Sequence, residues 1–379
     1  MKKISPIYDV AIIGAGIAGL SAAYHLKKAG LSVAVIDKAP QENNSCIGCS
    51  ISLKSDSNSC KGASGVAGAF ISPIIGKPNQ LKDFINNAYE YSISIYKELA
   101  KDKFIQNGLL RLKEENEDEK EFDELEKYIA VNYEKRENGY FFKDAGIMQP
   151  LFILKELIKG CDGYFGYEIK ELKKEDDFWI FDGFKAKNLV LATGAFEPLV
   201  KFPYEMTRGV WGERIRIKSK TTTHFNYHKK VSISTTLNND ELIIGATHKH
   251  NHEWQIDKNA KEYLLEKANE IIDIKNPQIV DIKAGMRPGS LDYFPIAGKV
   301  LDIERNIQEF SSIKHGTKIP YEKLHYIKGL FIHTGHGGRG FVTALKTAQI
   351  LADSITKNSI MDEKLHPARY FYRWARKAQ

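Results

Sequence analysis

The chain has 379 residues, of which 42% are hydrophobic and 27% are charged, and its formal net charge is +7 at pH 7. These values are typical of a globular protein long enough for two domains, and the charge alone is too small to indicate nucleic-acid binding. No apolar run is long enough to span a membrane, and no secretory cleavage site follows the apolar residues 10–23. We therefore expect a soluble, cytoplasmic protein without a membrane partner.

The four cysteines, Cys46, Cys49, Cys60 and Cys161, are too few for a disulfide framework at this length. Cys46 and Cys49 have the spacing of a metal or redox pair, but neither a second pair nor a nearby histidine completes a zinc site. We expect free thiols in a Ser/Asn-rich surface loop over residues 43–59, and no bound metal.

The first predicted element is an apolar strand over residues 10–13 that runs into Gly14, Gly16 and Gly19. A second apolar run ends at Asp37, 23 residues after Gly14. This is the pattern of a βαβ dinucleotide site, in which the three glycines permit, in turn, the tight turn, the approach to a pyrophosphate and the packing of helix on strand. The N-terminal amides of the helix favour phosphate. Asp37 can bind a ribose hydroxyl but would repel a 2′-phosphate, which argues against NADP.

The remaining periodicities predict alternating helices and strands. Helices are predicted over residues 81–99, 117–130, 151–159, 258–272 and 341–355, and strands over 107–112, 164–172, 178–181, 188–194 and 330–334. Residues 208–247 alternate as in an antiparallel sheet. The order predicts an α/β fold in which two domains are interleaved. A Rossmann-like domain would comprise residues 1–105, 150–206 and 327–379, and an α+β substrate domain built on an antiparallel sheet would comprise 106–149 and 207–326.

A second glycine-rich turn, Gly-His-Gly-Gly-Arg-Gly at 335–340, again lies between a predicted strand and a predicted helix. Two such turns indicate that two helix N-termini address one long ligand, whereas a nicotinamide enzyme usually needs one. In a flavoprotein the second turn would face the isoalloxazine ring, stabilise the negative charge that builds on reduction and raise the electron affinity of the flavin. The alternative is a turn that only allows tight helix packing.

Five segments in this order resemble the FAD-dependent D-amino-acid-oxidase-like superfamily, which includes glycine and sarcosine oxidases. They are residues 13–19, 63–65, 191–195, 285–298 and 335–340. Residues 62–73, 208–209 and 244–247 look most like the FAD-dependent half of the MnmC proteins, bifunctional enzymes of tRNA 5-methylaminomethyl-2-thiouridine biosynthesis. The methyltransferase half of that family has no counterpart in this sequence, so any methylation is expected to happen elsewhere or not at all. Glycine at position 338 replaces the serine of the family's Gly-Ser-Arg-Gly.

The resemblance implies a FAD-binding domain of the glutathione-reductase/DAO type that holds FAD noncovalently. The implied cofactor-binding residues are Gly14, Ala15, Gly16, Ile17, Ala18, Gly19, Asp37, Lys38, Ala63, Ser64, Gly65, Thr193, Gly194, Gly337, Gly338, Arg339, Gly340 and Phe341.

The reactions of this superfamily share an amine attached to a carbon that bears a carboxylate. In the MnmC family the flavin half removes the carboxymethyl group, as glyoxylate, from 5-carboxymethylaminomethyl-(2-thio)uridine at the tRNA wobble position, and this is the function we expect. The alternative is a free amino-acid oxidase that acts on glycine, sarcosine or a D-amino acid and produces an imine and hydrogen peroxide. A third alternative is a non-catalytic nucleotide-binding module. Such a module would have no use for an arginine placed to bind a substrate carboxylate, the role considered next for Arg287.

Two arginines are the candidate catalytic residues. Arg287 falls on the substrate-carboxylate arginine of amino-acid oxidases, and a guanidinium can hold a carboxylate through two parallel hydrogen bonds. Arg339 is expected near both flavin and substrate. The alternatives are a structural salt bridge for Arg287 and a cap on neighbouring carbonyls for Arg339. Tyr293, Phe294 and His336 are better explained by core or turn packing than by a pocket, so we assign them no role.

Two basic patterns bear on an RNA partner. On a strand, Arg214, Arg216, Lys218 and Lys220 would share one face, where they could follow phosphates or protect a sheet edge. Three arginines between residues 369 and 376 share a helical face with aromatic residues interleaved, which suits RNA contact or a solvated basic tail. Together with the resemblance, these patterns make the anticodon loop of a tRNA the expected partner.

Overall fold

The computed structural model describes residues 6–39, 62–114, 117–136, 138–195, 199–250 and 255–377. Cys46, Cys49, Cys60 and the loop 43–59 predicted to hold free thiols lie outside the described residues. Cys161 is a free thiol, and burial raises its pKa to about 11. No helix in the described ranges combines the length and apolar character that crossing a bilayer requires.

The elements of the described residues are numbered here in chain order. The strands are β1 (Ile7–Ile13), β2 (Val33–Asp37), β3 (Phe70–Ile71), β4 (Phe104–Ile105), β5 (Leu109–Leu112), β6 (Glu134–Arg136), β7 (Gly139–Phe142), β8 (Gly146–Met148), β9 (Asp162–Phe165), β10 (Lys173–Glu175), β11 (Phe178–Phe181), β12 (Phe184–Leu191), β13 (Thr207–Lys218), β14 (Asn226–His228), β15 (Ser232–Ile233), β16 (Glu241–Gly245), β17 (Gln278–Ser290), β18 (Ile296–Leu301) and β19 (Tyr326–Thr334). The α-helices are α1 (Ile17–Lys28), α2 (Gln80–Ala100), α3 (Glu119–Glu124), α4 (Pro150–Leu157), α5 (Ala260–Asn269), α6 (Ile303–Glu309), α7 (Gly340–Lys357) and α8 (Ala368–Ala375).

The first sheet has a parallel centre in the order β19-β12-β1-β2-β9. Antiparallel strands extend it. Strand β11 pairs with the first residues of β12, on the edge where β19 pairs with its last residues, and β10 pairs with β11. Strand β18 pairs with β19. Val10, Ala11 and Ile12 in the central strand β1 are fully buried. Such a continuous apolar run is what a parallel strand covered on both faces requires. Helices α1 and α7 pack against each other beside this sheet.

The second sheet has the order β17-β13-β16-β15-β14-β5-β7-β6 and is antiparallel except for the pair β14–β5. Its long strand β13 has two different faces because side chains alternate along a strand. Ile215 and Ile217 are buried in an apolar cluster with Leu264 of α5. Arg208, Val210, Gly212 and Arg214, which alternate with them, line a cavity. A small third sheet, β3-β8-β4, completes the structure.

The predicted α/β architecture, a Rossmann-like parallel sheet with a separate antiparallel sheet, is confirmed. The predicted helix over 117–130 is shorter, because α3 ends at Glu124 and a 3₁₀ turn, Leu125–Tyr128, follows. Acidic residues three and four positions apart repel one another along this segment, which disfavours a longer α-helix. The predicted strand over 164–172 is also wrong beyond Phe165, because Gly166 turns the chain with φ +74°. The division into two domains stays a prediction; β18, placed in its substrate part, pairs in the first sheet.

Candidate active site

A cavity of about 1650 Å³ is lined by residues of both large sheets. From the first sheet, the turn after β1 and the turn after β19 contribute their glycines. From the second sheet, alternate residues of β13 (Arg208, Val210, Gly212 and Arg214) and the consecutive residues 285–290 of β17 contribute. The cavity therefore brings together the two glycine turns and the predicted catalytic arginines.

The turn between β1 and α1 can be built only with glycines at two positions. Gly14 has φ +109°, and a Cβ there would lie 2.3 Å from the carbonyl oxygen of Ala192. A Cβ at Gly19 would lie 1.9 Å from the carbonyl oxygen of Gly14, so glycine at 19 lets α1 approach the strand. The result is a tight turn whose helix N-terminus opens on the cavity, which fits a pyrophosphate.

Asp37 and Ser64 hold the start of α1 in place. The carboxylate of Asp37 accepts from the amide of Ala15 (2.6 Å) and from that of Ala39 (2.8 Å). The hydroxyl of Ser64 accepts from the amide of Ile17 (2.9 Å), the first residue of α1. A carboxylate has about four lone-pair positions, so Asp37 keeps the capacity to accept from a ribose hydroxyl.

The second glycine turn brings the start of α7 next to the start of α1. Gly335 and Gly337 adopt positive φ (+80° and +54°), and α7 begins at Gly340 after a 3₁₀ turn. A Cβ at Gly340 would lie 3.0 Å from Cγ2 of Ile17. Two helix N-termini thus meet at one cavity, and that they address one long ligand stays a prediction. All of the predicted cofactor-binding residues line this cavity except Ala15, Gly19 and Gly65.

Arg287 lies on β17, and four of its five N–H groups already donate within the protein. Nε donates to the carbonyl of Val210 (3.4 Å), Nη2 to the carbonyls of Trp211 (3.3 Å) and Thr247, and Nη1 to Nε2 of His248 (3.1 Å). One Nη1 hydrogen therefore remains for a ligand, so the expected grip through two parallel bonds is not available in this arrangement. In the part of the chain that the structure describes, Arg287 forms no ion pair with a carboxylate.

The charge of Arg287 is kept at neutral pH, because burial lowers its pKa only to about 10. His248 accepts at Nε2 from a guanidinium and contacts the carbonyl of Ala246 at Nδ1 (3.2 Å), where it must donate. The imidazole is therefore neutral and adds no second positive charge beside Arg287.

Arg339 follows the glycines of the second turn and lines the same cavity. Among the described residues, its guanidinium has neither a hydrogen-bond acceptor nor an ion-pair partner, so the alternative role as a carbonyl cap is not observed. Burial, with a smaller effect from Arg111, lowers the pKa of Arg339 to about 10, which still leaves it charged at neutral pH.

A polar row across the second sheet lines the cavity and was missed by sequence reasoning. Strand register places Arg111, His228, Ser232, Gly245 and Arg214 side by side on five neighbouring strands. Burial first, and then Arg111 and Arg339, lower the pKa of His228 to about 3, so it is neutral. Only the register of the sheet could reveal this row, because its members are far apart in sequence.

The expectation for the basic row on β13 is wrong for its two arginines. Strand β13 lies between β16 and β17, so it is not a sheet edge. Arg214 is buried and donates from Nε to the carbonyl of Val66 (2.7 Å). Arg216 pairs with Asp281 (2.7 Å) and Glu241 (3.2 Å). Both guanidiniums are thus already engaged by groups of the protein itself.

The expectation for α8 is likewise wrong for Arg369. Its guanidinium binds both carboxylate oxygens of Asp292 (2.7 and 3.0 Å), and the hydroxyl of Tyr370 donates to the same carboxylate (2.7 Å). Arg369 therefore fixes a turn instead of offering its charge to RNA. Arg373 and Arg376 stay exposed.

Comparison with known proteins identifies the class to which this fold and cavity belong. The chain matches the FAD dependent oxidoreductase family, DAO, over residues 9–354, and it belongs to that family. The resemblance drawn from the sequence, the DAO-type fold and the oxidoreductase class are thereby confirmed. The family is FAD-dependent.

Two relatives and one solved structure show what this chain is similar to. The tRNA 5-methylaminomethyl-2-thiouridine biosynthesis bifunctional protein MnmC of Campylobacter concisus is 27% identical over 392 residues, which cover 97% of this chain and 60% of that protein. The MnmC of Leptospira interrogans serovar Lai is 26% identical over 427 residues, covering 98% and 62%. The chain thus spans about 60% of the length of these relatives. Glycine oxidase from Geobacillus kaustophilus shares the fold, with a TM-score of 0.70 at 18% identity over 94% of this chain and 97% of its own.

Proposed function

We propose that this chain binds FAD in the cavity and oxidises a glycine-like secondary amine. Its substrate is 5-carboxymethylaminomethyl-(2-thio)uridine at the wobble position of tRNA, from which it removes the carboxymethyl group as glyoxylate. The observation that carries the proposal is a single cavity of about 1650 Å³ that extends from the glycine fingerprint to Arg287. Within the described ranges this arginine is charged and has no carboxylate of its own.

The residues around the two helix starts fit a dinucleotide cofactor. The start of α1 would hold the pyrophosphate, Asp37 would accept from the ribose, and residues 337–340 would offer a second helix N-terminus. When bound, FAD supplies the acceptor for the hydride removed from the substrate carbon. Both helix starts line the same cavity, which supports this assignment.

The arginines of the cavity would bind and orient the substrate carboxylate. Arg287 contributes its remaining Nη1 hydrogen and a charge that four internal hydrogen bonds hold in place. Arg339 contributes further N–H groups that no described residue uses. An amine that binds neutral loses the hydride from the carbon and a proton from nitrogen, so it needs no strong side-chain base. Water then adds to the resulting C=N bond, the C–N bond breaks, and aminomethyluridine and glyoxylate are left.

The charge of the cavity supports a polyanionic partner. Within the described part of the chain, nine Lys and Arg residues and three carboxylates line it. An excess of positive charge attracts nucleic-acid phosphates, and enzymes that modify a base admit it after it leaves the stack. The names of the MnmC relatives support tRNA as that partner.

The test is mass spectrometry of wobble uridines in tRNA from cells that lack this gene. We expect the 5-carboxymethylaminomethyl form to accumulate, wild-type protein to remove it and the Arg287→Ala variant to leave it in place. An unchanged nucleoside profile in the deletion strain, together with oxidation of free glycine or sarcosine by the purified FAD-loaded protein, would replace the tRNA substrate with a free amino acid.

A further inference from the structure

Tyr293 is the most exposed large hydrophobic side chain among the described residues. Its relative exposure is 79%, and it lines the cavity. Its backbone has φ +65°, a left-handed conformation that residues other than glycine rarely adopt. A ring this exposed adds nothing to the packing of the protein's own core. The ring is therefore available to a partner.

The turn that carries Tyr293 is fixed on both sides. Before it, Asp292 is held by Arg369 and Tyr370 of α8. After it, the amide of Phe294 donates to Asp292 (3.3 Å), and the ring of Phe294 packs against Phe84 with 6.1 Å between centroids. The exposed ring thus projects from an ordered turn, which lowers the entropy lost when a partner stacks on it.

Arg208 lies beside this turn at the outer end of the cavity-facing row on β13. It is opposite Gly289 on β17, whereas Val210, the next residue of the same row, is opposite Arg287. Two residues along a strand span about 7 Å, so Arg208 lies one step outward from the proposed substrate-binding arginine. Its side chain is 68% exposed, and its ion pair with the exposed Glu205 (3.8 Å) is too long and too solvated to hold the charge.

We propose that Tyr293 and Arg208 form a docking rim for single-stranded RNA at the mouth of the cavity. The Tyr293 ring stacks on a base next to the nucleotide that enters the cavity, and Arg208 binds the adjacent phosphate. Aromatic stacking combined with basic side chains is the chemistry by which proteins hold unpaired RNA. Lys201 and Lys230, both exposed and both lining the cavity, add positive charge to it. The inference rests on the proposed function, which makes RNA the partner.

The first experiment measures equilibrium binding of a labelled anticodon stem-loop RNA to the FAD-loaded protein. Glycine accepts φ +65° without strain, so Tyr293→Gly removes the ring while the turn is kept. We expect its Kd to rise about tenfold, the effect of one lost stacking partner, and Tyr293→Phe to bind like the wild type. The matched control is Tyr263→Ala, an exposed tyrosine outside the cavity. For Arg208→Ala, which should also weaken binding, the control is the exposed Arg305→Ala.

A second measurement separates the rim from the proposed function. The ratio of turnover on the modified stem-loop to turnover on the free modified nucleoside should fall about tenfold in Tyr293→Gly. Unchanged RNA binding in Tyr293→Gly, or an equal loss on both substrates, would overturn the rim. If the rim variants weaken RNA binding but the wild type oxidises neither substrate, the rim stands and the proposed reaction fails. Absence of RNA binding by the wild type would overturn the rim.

Discussion

The guanidinium of Arg287 lies directly over Gly212, where a Cβ would come within 1.7 Å of Nη2. Resemblance to amino-acid oxidases singles out Arg287 in the sequence, but its hydrogen bonds could not be predicted. They go to carbonyls of β13 and of the segment after β16, which strand pairing brings to β17 from distant parts of the chain. At the scale of single residues, the sequence thus identifies the charged group, and only the pairing of strands explains how it is held.

Replacing Arg287 tests the proposal that it binds the substrate. Arg287→Ala should keep the flavin and lose at least about thirtyfold in kcat/KM, the equivalent of about 2 kcal/mol for a lost charge-assisted contact. Arg287→Lys should recover little, because a lysine cannot reproduce the four internal hydrogen bonds. Steady-state kinetics and the visible absorbance of the purified variants provide the readouts. Normal turnover in Arg287→Ala would remove the assignment.

Replacing Gly212 tests whether the position of Arg287, and not only its charge, affects turnover. Gly212→Ala should displace the guanidinium and raise KM about tenfold or more while FAD stays bound. The matched control is Gly209→Ala, where a Cβ would meet only the flexible side chain of Met286 (2.8 Å to Sδ). If both variants have the same KM, the contact between Arg287 and Gly212 does not affect substrate binding.

At the scale of elements, what could be predicted is local and what could not is set by strand register. Each glycine turn, its strand and its helix occupy adjacent residues, so motif spacing predicts both helix starts. The basic row on β13 shows the limit of period-two alternation, which predicts which residues share a face but not which strands lie on either side. Acids on β16 and β17 neutralise Arg216, and the carbonyl of Val66 binds Arg214.

Gly14 allows a test of the first helix start. Gly14→Ala meets both a positive φ and a carbonyl oxygen, and we expect a stability loss of about 2 kcal/mol or more together with loss of FAD. Gly183→Ala is the matched control, because Gly183 has φ +92° but open space around its Cβ position. It should lose about 1 kcal/mol and keep FAD. Thermal unfolding measures the stability loss, and the flavin content of the purified protein measures the loss of FAD. A flavin-loaded Gly14→Ala protein would contradict the proposal that this turn holds the cofactor.

At the scale of the whole molecule, the pair Arg369–Asp292 ties α8 to the turn before β18. Burial alone would raise the pKa of Asp292, but the hydrogen bond and charge of Arg369 outweigh it and hold the pKa below its ordinary value. A lowered folded-state pKa stabilises the protein above the unfolded-state pKa, about 4, and this contribution is lost as pH falls through the folded-state value.

Arg369→Ala should therefore reduce the free energy of unfolding by about 1–3 kcal/mol at neutral pH. Its difference from the wild type should shrink as the pH falls below about 4, because protonated Asp292 no longer needs the guanidinium. Denaturant unfolding across this range measures the difference, with the exposed Arg373→Ala as control. A difference that does not change with pH would show that Arg369 acts through packing instead.

In the proposed reaction, one cavity joins a bound flavin to the carboxymethylamine of a modified wobble uridine. The most direct test of this reaction is to mix the FAD-loaded protein, without oxygen, with an anticodon stem-loop that carries 5-carboxymethylaminomethyluridine. The visible absorbance of the flavin should fall, glyoxylate should appear in equal amount, and the same RNA with unmodified uridine should do neither. A flavin that is reduced by glycine or sarcosine but not by the modified RNA would contradict the account.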